Sequence, residues 1–465
     1  MSGGQTLTAG IILAAGEGTR MRSSHPKVLH TLAGKTFLQR VMTSVTALNP
    51  ELTAVVVHHQ ADLVAQAARS YDPQVRIVRQ DSRPGTGRAV QCAVDQLDRE
   101  LRRHDGQVLI VASDMPLLDA GTLHSLLDYH VSSGDGATVL TVNLDDPTGY
   151  GRIIRDQDGR VLRIVEQRDA TGTELAVKEV NTSVYVFEAD LLRQAVRGLD
   201  DSNAQGEFYL TDALETARRL GRVGAFAAPD PLKVEGVNDR IQLADLAKAH
   251  NLRVCQEFMR RGVTILDPST TWIEDDVVIQ QDAVILPGCF LQGLTEIASD
   301  AVIGPYTTLI DAIVEPQAKV ERSRVQETRI GARANIGPWT YLRAGNVLAE
   351  DTKAGAFVEM KKATIDHGTK VPHLSYVGDA HIGHDSNVGG GSITANYDGV
   401  HKNRTEIGSE VHVGAGNLFV APVQVGDGVT TGAGSVIRHQ VEDGAMVYST
   451  NDQHQVPDWK PAWER

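Results

Sequence analysis

The sequence predicts two fold classes in one chain: a doubly wound, Rossmann-like α/β region, then a left-handed parallel β-helix of hexapeptide repeats. Short aliphatic runs alternate with amphipathic stretches over the first half. In the second half Ile273, Ile279, Ile285, Leu291, Ile297, Ile303 and Leu309 stand six apart without a break. Ile407, Val413, Phe419, Val425 and Ile437 resume that spacing, with Thr431 as its one polar member. Apolar residues make up 41% of the chain, so one such run could arise by chance. A second signal argues against chance: an aliphatic residue precedes glycine at Ile303-Gly304, Ile330-Gly331, Ile336-Gly337, Ile382-Gly383, Val388-Gly389, Ile407-Gly408, Val413-Gly414 and Val425-Gly426.

The elements follow in order. Ile11–Ala14, Ala54–Val57, Val75–Val78, Val108–Val111 and Ala137–Val142 read as strands. Phe37–Val45 and Ala89–Leu97 carry apolar residues at helical spacing. Such alternation places ligands at the carboxyl ends of the strands. From Ile241 to about Arg260 a helical pattern free of Gly and Pro connects the two regions. A period of six fits neither a helix nor an alternating strand; it fits coils of three short strands, stacked roughly 4.8 Å apart, with the aliphatic side chains inside. The expected domains are therefore 1–240, a connecting helix over 241–261, a β-helix over 262–441 and a tail over 442–465.

Bulk properties narrow the function. A chain of 465 residues accommodates two to four domains, each able to bury a core. A net charge of -14 argues against a nucleic-acid or membrane-surface protein, while anionic small substrates still suit local basic clusters. Aromatic residues are only 5%, as a narrow β-helix interior requires. Cys92, Cys255 and Cys289 are scattered and unpaired, which implies a reducing compartment. No signal peptide or stretch of about 18 apolar residues is apparent, so the expectation is a cytoplasmic protein without membrane insertion.

The first constellation follows the first strand: Leu13-Ala14-Ala15-Gly16-Glu17-Gly18-Thr19-Arg20-Met21-Arg22, then Pro26-Lys27. A small-residue turn lets backbone N–H groups approach a phosphate, and Arg20 and Lys27 add charge. No Gly-Lys-Ser/Thr follows and Met21 replaces a third glycine, which excludes a Walker A loop and a dinucleotide fingerprint. Asp114 falls at a strand's carboxyl end, suited either to Mg²⁺ facing a triphosphate or to a helix N-cap before Pro116. The spacing of Arg20 and Pro26-Lys27 resembles the signature of sugar-phosphate nucleotidyltransferases. Gln80 with Gly85-Thr86-Gly87, then Gly149-Tyr150-Gly151-Arg152, Glu166, Asn181-Thr182 and Gly236-Val237-Asn238, match that family in order.

With these matches the chain resembles, over nearly its whole length, the bacterial bifunctional N-acetylglucosamine-1-phosphate uridylyltransferase/glucosamine-1-phosphate N-acetyltransferase family, whose product feeds peptidoglycan synthesis. The resemblance implies that Leu13, Ala14, Gly16, Lys27, Gln80, Gly85 and Thr86 bind the nucleotide. It also implies that Arg20 and Lys27 stabilise the phosphates, that Asp114 and Asn238 hold Mg²⁺, and that Gly151, Glu166, Asn181 and Asn238 hold the sugar phosphate. Ser113, Pro84, Arg88 and Ser183 stand where that family usually has Gly, Leu, His and Gly.

The second constellation interrupts the hexads. Tyr341-Leu342-Arg343 and Glu359-Met360-Lys361 bring cations, His373-Leu374-Ser375-Tyr376 brings an imidazole beside a phenol, and Asn396-Tyr397-Asp398-Gly399 opens a loop ending near Lys402. The resemblance implies His373 as the general base freeing the glucosamine amine to attack acetyl-CoA, work for which imidazole is suited. It implies Arg343, Lys361, Tyr376, Asn387 and Lys402 for the phosphosugar, and Asn396, Tyr397, Ala415 and Ala433 for acetyl-CoA between subunits of a homotrimer. Ala395 stands where Cys is frequent, and Thr450 where the family has a tail arginine for the CoA phosphate; Arg438 and Lys460 are the nearby cations. The expected activity is acetyl transfer to glucosamine-1-phosphate, then uridylyl transfer from UTP with release of pyrophosphate. The alternatives are a single-activity sugar-1-phosphate nucleotidyltransferase with a regulatory or trimerising β-helix, and a scaffold that only trimerises another domain.

Overall fold

The computed structural model describes residues 7–102, 106–450 and 453–464. Of the expected domains and tail, residues 1–6, 103–105, 451–452 and 465 lie outside the described residues. The chain divides into two compact units, Met1–Lys248 and Ala249–Arg465.

The first unit is built on a nine-stranded sheet. Its main strands are β1 (Leu7–Ala14), β2 (Leu52–Val57), β3 (Arg76–Arg79), β4 (Gln107–Ala112), β5 (Ala137–Asn143), β6 (Glu179–Glu188) and β7 (Val223–Ala227). They lie in the order β3-β2-β1-β4-β6-β5-β7, and β6 alone runs antiparallel to its neighbours on this path. A hairpin, Arg152–Arg155 with Val161–Val165, hangs from β6. Every residue of β1 is buried, as a continuous apolar run covered by helices on both faces requires. The predicted helices are Phe37–Thr46 and Thr86–Gln96, the first capped by Thr36, whose side chain accepts from Gln39 N. Strand order reverses direction at β1, so β1 and β4 open a crevice at their carboxyl ends.

The helix Arg240–Arg260 carries the chain into the second unit. There Asn251 ends the β-helix: its Nδ2 donates to Thr271 O and its Oδ1 accepts from Ile273 N. Three parallel ladders follow. The first begins Thr264–Ile265, Val284–Ile285, the second Trp272–Ile273, Phe290–Gln292, and the third Val278–Ile279, Glu296–Ile297. Val284 pairs with Val302, eighteen residues on, so three hexads make one coil. All seven aliphatic residues of the first run are buried inside, as is Phe419. Thr431 is buried too, and its Oγ1 accepts from Gly414 N. This is the left-handed parallel β-helix.

The glycines after the aliphatic residues have a sharper role than helping the chain turn. A Cβ at Gly331 or Gly383 would lie 2.4 or 2.6 Å from backbone of the next coil, so these glycines admit close stacking. No helix among the described residues is long and apolar enough to cross a membrane.

Candidate functional site

At the crevice of the first unit, β1 ends and the chain turns through Gly18, at φ 62, into a 3₁₀ turn Thr19–Met21. A Cβ on Gly18 would meet Lys27 Cβ at 2.5 Å, so glycine here lets Lys27 fold over the loop. Gly16 has no atom near its Cβ direction and leaves the loop open on that side. Lys27 Nζ donates to Asp114 Oδ2 at 2.8 Å and to Asn238 Oδ1 at 3.0 Å, and Arg20 donates to the same Asn238 oxygen at 2.9 Å. Val237 N donates to Asp114 O, which sets Asn238 beside Asp114 although they are far apart in sequence. Arg20, Lys27, Asp114 and Asn238 thus form one cluster.

Ser113 occupies its position by hydrogen bonding: its buried Oγ donates to Leu13 O at 2.6 Å and ties the ends of β1 and β4 together. Gln80 Nε2 donates to Arg83 O and Gly85 O, which braces the Gly85-Thr86 turn. Gly85 has φ 113, and a Cβ there would strike Phe208 O at 2.2 Å. Pro84 O accepts from Phe208 N, and Thr86 Oγ1 accepts from Leu210 N. Arg88 grips Asp81 with Nη2 at 2.5 Å, and that hydrogen bond holds the Asp81 carboxyl well below the usual range.

Two adjoining cavities occupy the crevice. One of about 580 Å³ is lined by Gly16, Lys27, Gln80, Gly85, Thr86 and Asp114 among others. The other, about 190 Å³, is lined by Glu166, Asn181, Ser183, Tyr185, Gln205, Tyr209 and Thr211, and Leu13, Thr86 and Glu207 border both. Ala14, Arg20, Gly151 and Asn238 do not line either cavity. Gly151 lies just behind: its O accepts from Asn181 N, and its Cβ direction points to Glu166 Oε1 at 3.4 Å. Burial, followed by the charges of Asp212 and Asp169, raises the Glu166 carboxyl. Asn181 donates to the Tyr185 hydroxyl at 2.7 Å and accepts from Ser183 N at 2.9 Å.

The segment from Gln205 to Thr211 is a wall of this site that sequence reasoning missed. Its first part, to Tyr209, lies outside any periodic element and its last two residues open a helix at Leu210; its signal is the run Glu207-Phe208-Tyr209 after Gly206.

In the second unit, Arg343, Lys361 and Lys402 gather where the second ladder turns into the third. Arg343 Nη1 lies 3.2 Å from Glu359 Oε1, and Lys361 Nζ 3.6 Å from Asp379 Oδ2, which also accepts from Asn396 Nδ2. Lys402 comes back through a bridge to Tyr397. Its hydrogen bond with Lys361 and that residue's charge lower the Lys402 amine, while the same bond and then Asp379 raise Lys361. The loop fits between coils because Asn387 pairs with His412, twenty-five residues on instead of eighteen. Tyr376 heads the second ladder's strand, its hydroxyl against Gly378, where a Cβ would come within 2.3 Å.

His373 and Asn387 lie elsewhere. His373 ends a strand of the first ladder and is exposed; its ring covers Gly390 on the next coil, where a Cβ would meet Cδ2 at 2.4 Å. Below Gly390 the same turn column continues with Ala415 and Ala433: Gly416 N donates to Gly390 O, and Gly434 N to Ala415 O. Small residues therefore lead away from His373 down one edge. Asn387 begins a strand of the first ladder at its other side.

Comparison with known proteins finds relatives over nearly the whole chain. Residues 10–197 match the family of MobA-like NTP transferase domains. The chain is 73% identical over 459 residues to the bifunctional protein GlmU of Bifidobacterium longum subsp. infantis, covering 99% of this chain and all of that one. It is 73% identical over 460 residues to the bifunctional protein GlmU of Bifidobacterium animalis subsp. lactis, again over 99% of this chain and all of the relative. With that of Paenarthrobacter aurescens it shares 48% identity over 453 residues, 97% of this chain and 91% of the other.

Proposed function

This chain belongs to the bifunctional GlmU family, and on that premise we propose how its residues divide between the family's two reactions. It makes UDP-N-acetylglucosamine in two steps: acetyl transfer to glucosamine-1-phosphate, then uridylyl transfer from UTP to N-acetylglucosamine-1-phosphate. We assign uridylyl transfer to residues 1–240 and acetyl transfer to 262–441, joined by 241–261 and followed by a tail, 442–465. The observation that carries the reading is the cluster of Lys27, Arg20, Asp114 and Asn238 at the mouth of a cavity bordered by the glycine turns.

In uridylyl transfer the sugar phosphate's oxygen attacks the α-phosphorus of UTP in line, and pyrophosphate leaves. Such a step needs positioning and charge neutralisation more than a base. Lys27 and Arg20 neutralise the phosphates, the Gly16 turn offers backbone N–H groups, and the Gly85-Thr86 turn receives the base. Glu166, Asn181 and Gly151 hold the sugar. The donors fit Mg²⁺: a carboxylate and an amide oxygen already converge on one cation, the Lys27 ammonium. Mg²⁺ is ordinarily held by one or two protein oxygens plus phosphate and water. Asp114 and Asn238 would hold it, and when bound it supplies charge stabilisation at the phosphates.

In acetyl transfer the twin cations Lys361 and Lys402, with Arg343, hold the phosphate, and Tyr376 and Asn387 complete the sugar site. His373 removes the amine proton, the nitrogen attacks the thioester carbonyl, and collapse of the tetrahedral intermediate breaks the C–S bond, CoA leaving as the thiol with the proton returned from His373. Asn396 and Tyr397 favour the tetrahedral oxyanion. The column from Gly390 through Ala415 to Ala433 gives acetyl-CoA a path leading to His373.

A homotrimer completes this site. What supports it is a contrast among the turn columns of the β-helix. Between the third and first ladders, left-handed positions are taken by polar residues, Asp282, Asp300, Gln317, Arg333, Asp351, Asp385 and Glu410, and by glycines. Between the first and second they are taken by Tyr306, Arg322, Trp339, Phe357 and Leu374, then by Gly391, Gly416 and Gly434. Such backbone costs a bulky residue roughly 1–2 kcal/mol, and Tyr306, Trp339, Phe357 and Leu374 are also exposed. Trp339 and Phe357 stack at 5.4 Å. This apolar edge runs straight into the acetyl-CoA column, so a neighbouring subunit that covers one borders the other. Three buried free thiols accord with a reducing, cytoplasmic setting. The deciding experiment is to incubate the purified chain with glucosamine-1-phosphate, acetyl-CoA, UTP and Mg²⁺ and to identify the product by mass; appearance of UDP-glucosamine alone would overturn the acetyl-transfer assignment.

A further inference from the structure

Arg152 is among the largest fully buried side chains of the molecule, at 2% exposure, and no carboxylate is bonded to it among the described residues. Burial pulls its guanidinium below the usual value, and only Asp146 opposes this. Taking a cation out of water costs several kcal/mol unless good geometry offsets it. The geometry here is a fork. Nη1 donates to Tyr150 O, and Nη2 donates to Gln167 Oε1 at 3.0 Å. The same Gln167 oxygen accepts from Gly149 N at 2.9 Å. The guanidinium Nε has no hydrogen-bond partner among the described residues.

The residues it joins flank the sugar side of the crevice. Gly149 and Tyr150 lead into Gly151, whose O accepts from Asn181 N; Gln167 follows Glu166. The backbone of Arg152 pairs with Val165 on one side and Val180 on the other. Arg152 itself lines neither cavity.

We infer that Arg152 is a positioning residue for the sugar phosphate: through Tyr150 and Gln167 it fixes the spacing of Gly151, Glu166 and Asn181. Two donors in a rigid fork are needed, because the segments approach from different sides; a lysine offers a single point charge. The inference rests on the assignment of those three residues to the sugar, and the controls separate the two.

The test is steady-state uridylyl transfer by the full chain with Mg²⁺, varying N-acetylglucosamine-1-phosphate and UTP in turn. Gln167→Ala and Arg152→Lys should raise the sugar-phosphate KM roughly ten-fold or more, the scale of a lost hydrogen bond to a charged group, with the UTP KM within about two-fold. Gln167→Glu keeps the acceptor and supplies a counter-charge, so its sugar-phosphate KM should stay near wild type. Should Arg152→Lys not fold, the Gln167 pair decides. A purely structural arginine would lower the melting temperature and leave both KM values unmoved, or move them together; either result overturns the proposal. Glu166→Gln is the control: if it raises the sugar-phosphate KM and the other variants do not, positioning by Arg152 fails alone. If Glu166→Gln also leaves it unmoved, the sugar assignment fails and takes the proposal with it.

Discussion

Lys27 Nζ stands 2.8 Å from Asp114 Oδ2, and the pair is only partly open to solvent, with the lysine side chain at 11% exposure. The ion pair brings together, from the loops after β1 and β4, the cation proposed for the phosphates and the anion proposed for the metal. Asp114→Ala should abolish uridylyl transfer and its Mg²⁺ dependence, and Lys27→Ala should lower its turnover by roughly 10²–10³-fold, as for other preorganised electrostatic groups. Acetyl transfer should stay near wild type in both, because the residues proposed for it lie in the other unit. Equal loss of the two activities in a folded variant would contradict the division into two sites.

The helix that opens at the end of the Gln205–Thr211 wall predicts a pH effect on stability. Burial, then the charges of Glu215, Asp200 and Asp169, raises the Asp212 carboxyl to about 6. A raised carboxyl destabilises when ionised: the unfolded chain gives up its proton first as pH rises from the ordinary carboxylate range, and the penalty is complete above about 6. Asp212→Asn should therefore melt above wild type at pH 7 and level with it near the ordinary carboxylate pKa. The half-open setting of this residue keeps the difference modest. A variant that melts lower at pH 7 would show that the ionised carboxylate has a stabilising partner.

Trp339 and Phe357 make the assembly testable. Light scattering should give about three times the 50.2 kDa chain mass. Replacing both by serine should weaken assembly, and acetyl transfer should become dependent on protein concentration while uridylyl transfer does not. A stable monomer with full acetyl-transfer activity would remove the case for a site shared between copies.

Much of this was legible in the residues, and the rest was hidden for physical reasons. The hexads keep register from Ile273 to Leu309 because those coils are eighteen residues long. They then slip because Glu296 pairs with Ile313, seventeen on, and Thr308 with Arg324, sixteen on, the shortened turns being taken at Asp311 with φ 50 and at Arg322 with φ 42. The turns proposed for the nucleotide were readable because they are local glycine patterns after a strand. The Gln205–Thr211 wall was not, since most of it is irregular chain whose Phe208 backbone bonds to Pro84 and Gly87, far away in sequence. Nor could the sequence say how a serine stands in for glycine at Ser183. The residue has φ 61, where a side chain is costly, and Asn181 Oδ1 holds its N–H at a register shift of β6.

The contact between His373 and Gly390 separates a catalytic imidazole from a packed one. If His373 is the base, His373→Ala should lower acetyl-transfer turnover by roughly 10²–10⁴-fold. Substrate affinity should change little, since the phosphate is assigned to Arg343, Lys361 and Lys402. The side chain is exposed, so its loss should cost little thermal stability. Gly390→Ala tests the same role without touching the imidazole. Its methyl would come within 2.4 Å of His373 Cδ2 and 2.7 Å of Nε2, so the ring must move off the coil while the backbone, which is not left-handed at Gly390, accepts alanine. Turnover should fall in Gly390→Ala with the melting temperature near wild type and uridylyl transfer unchanged. Measuring turnover and melting on one preparation of each variant distinguishes the readings: unchanged turnover in His373→Ala would refute the catalytic role, whatever Gly390→Ala does.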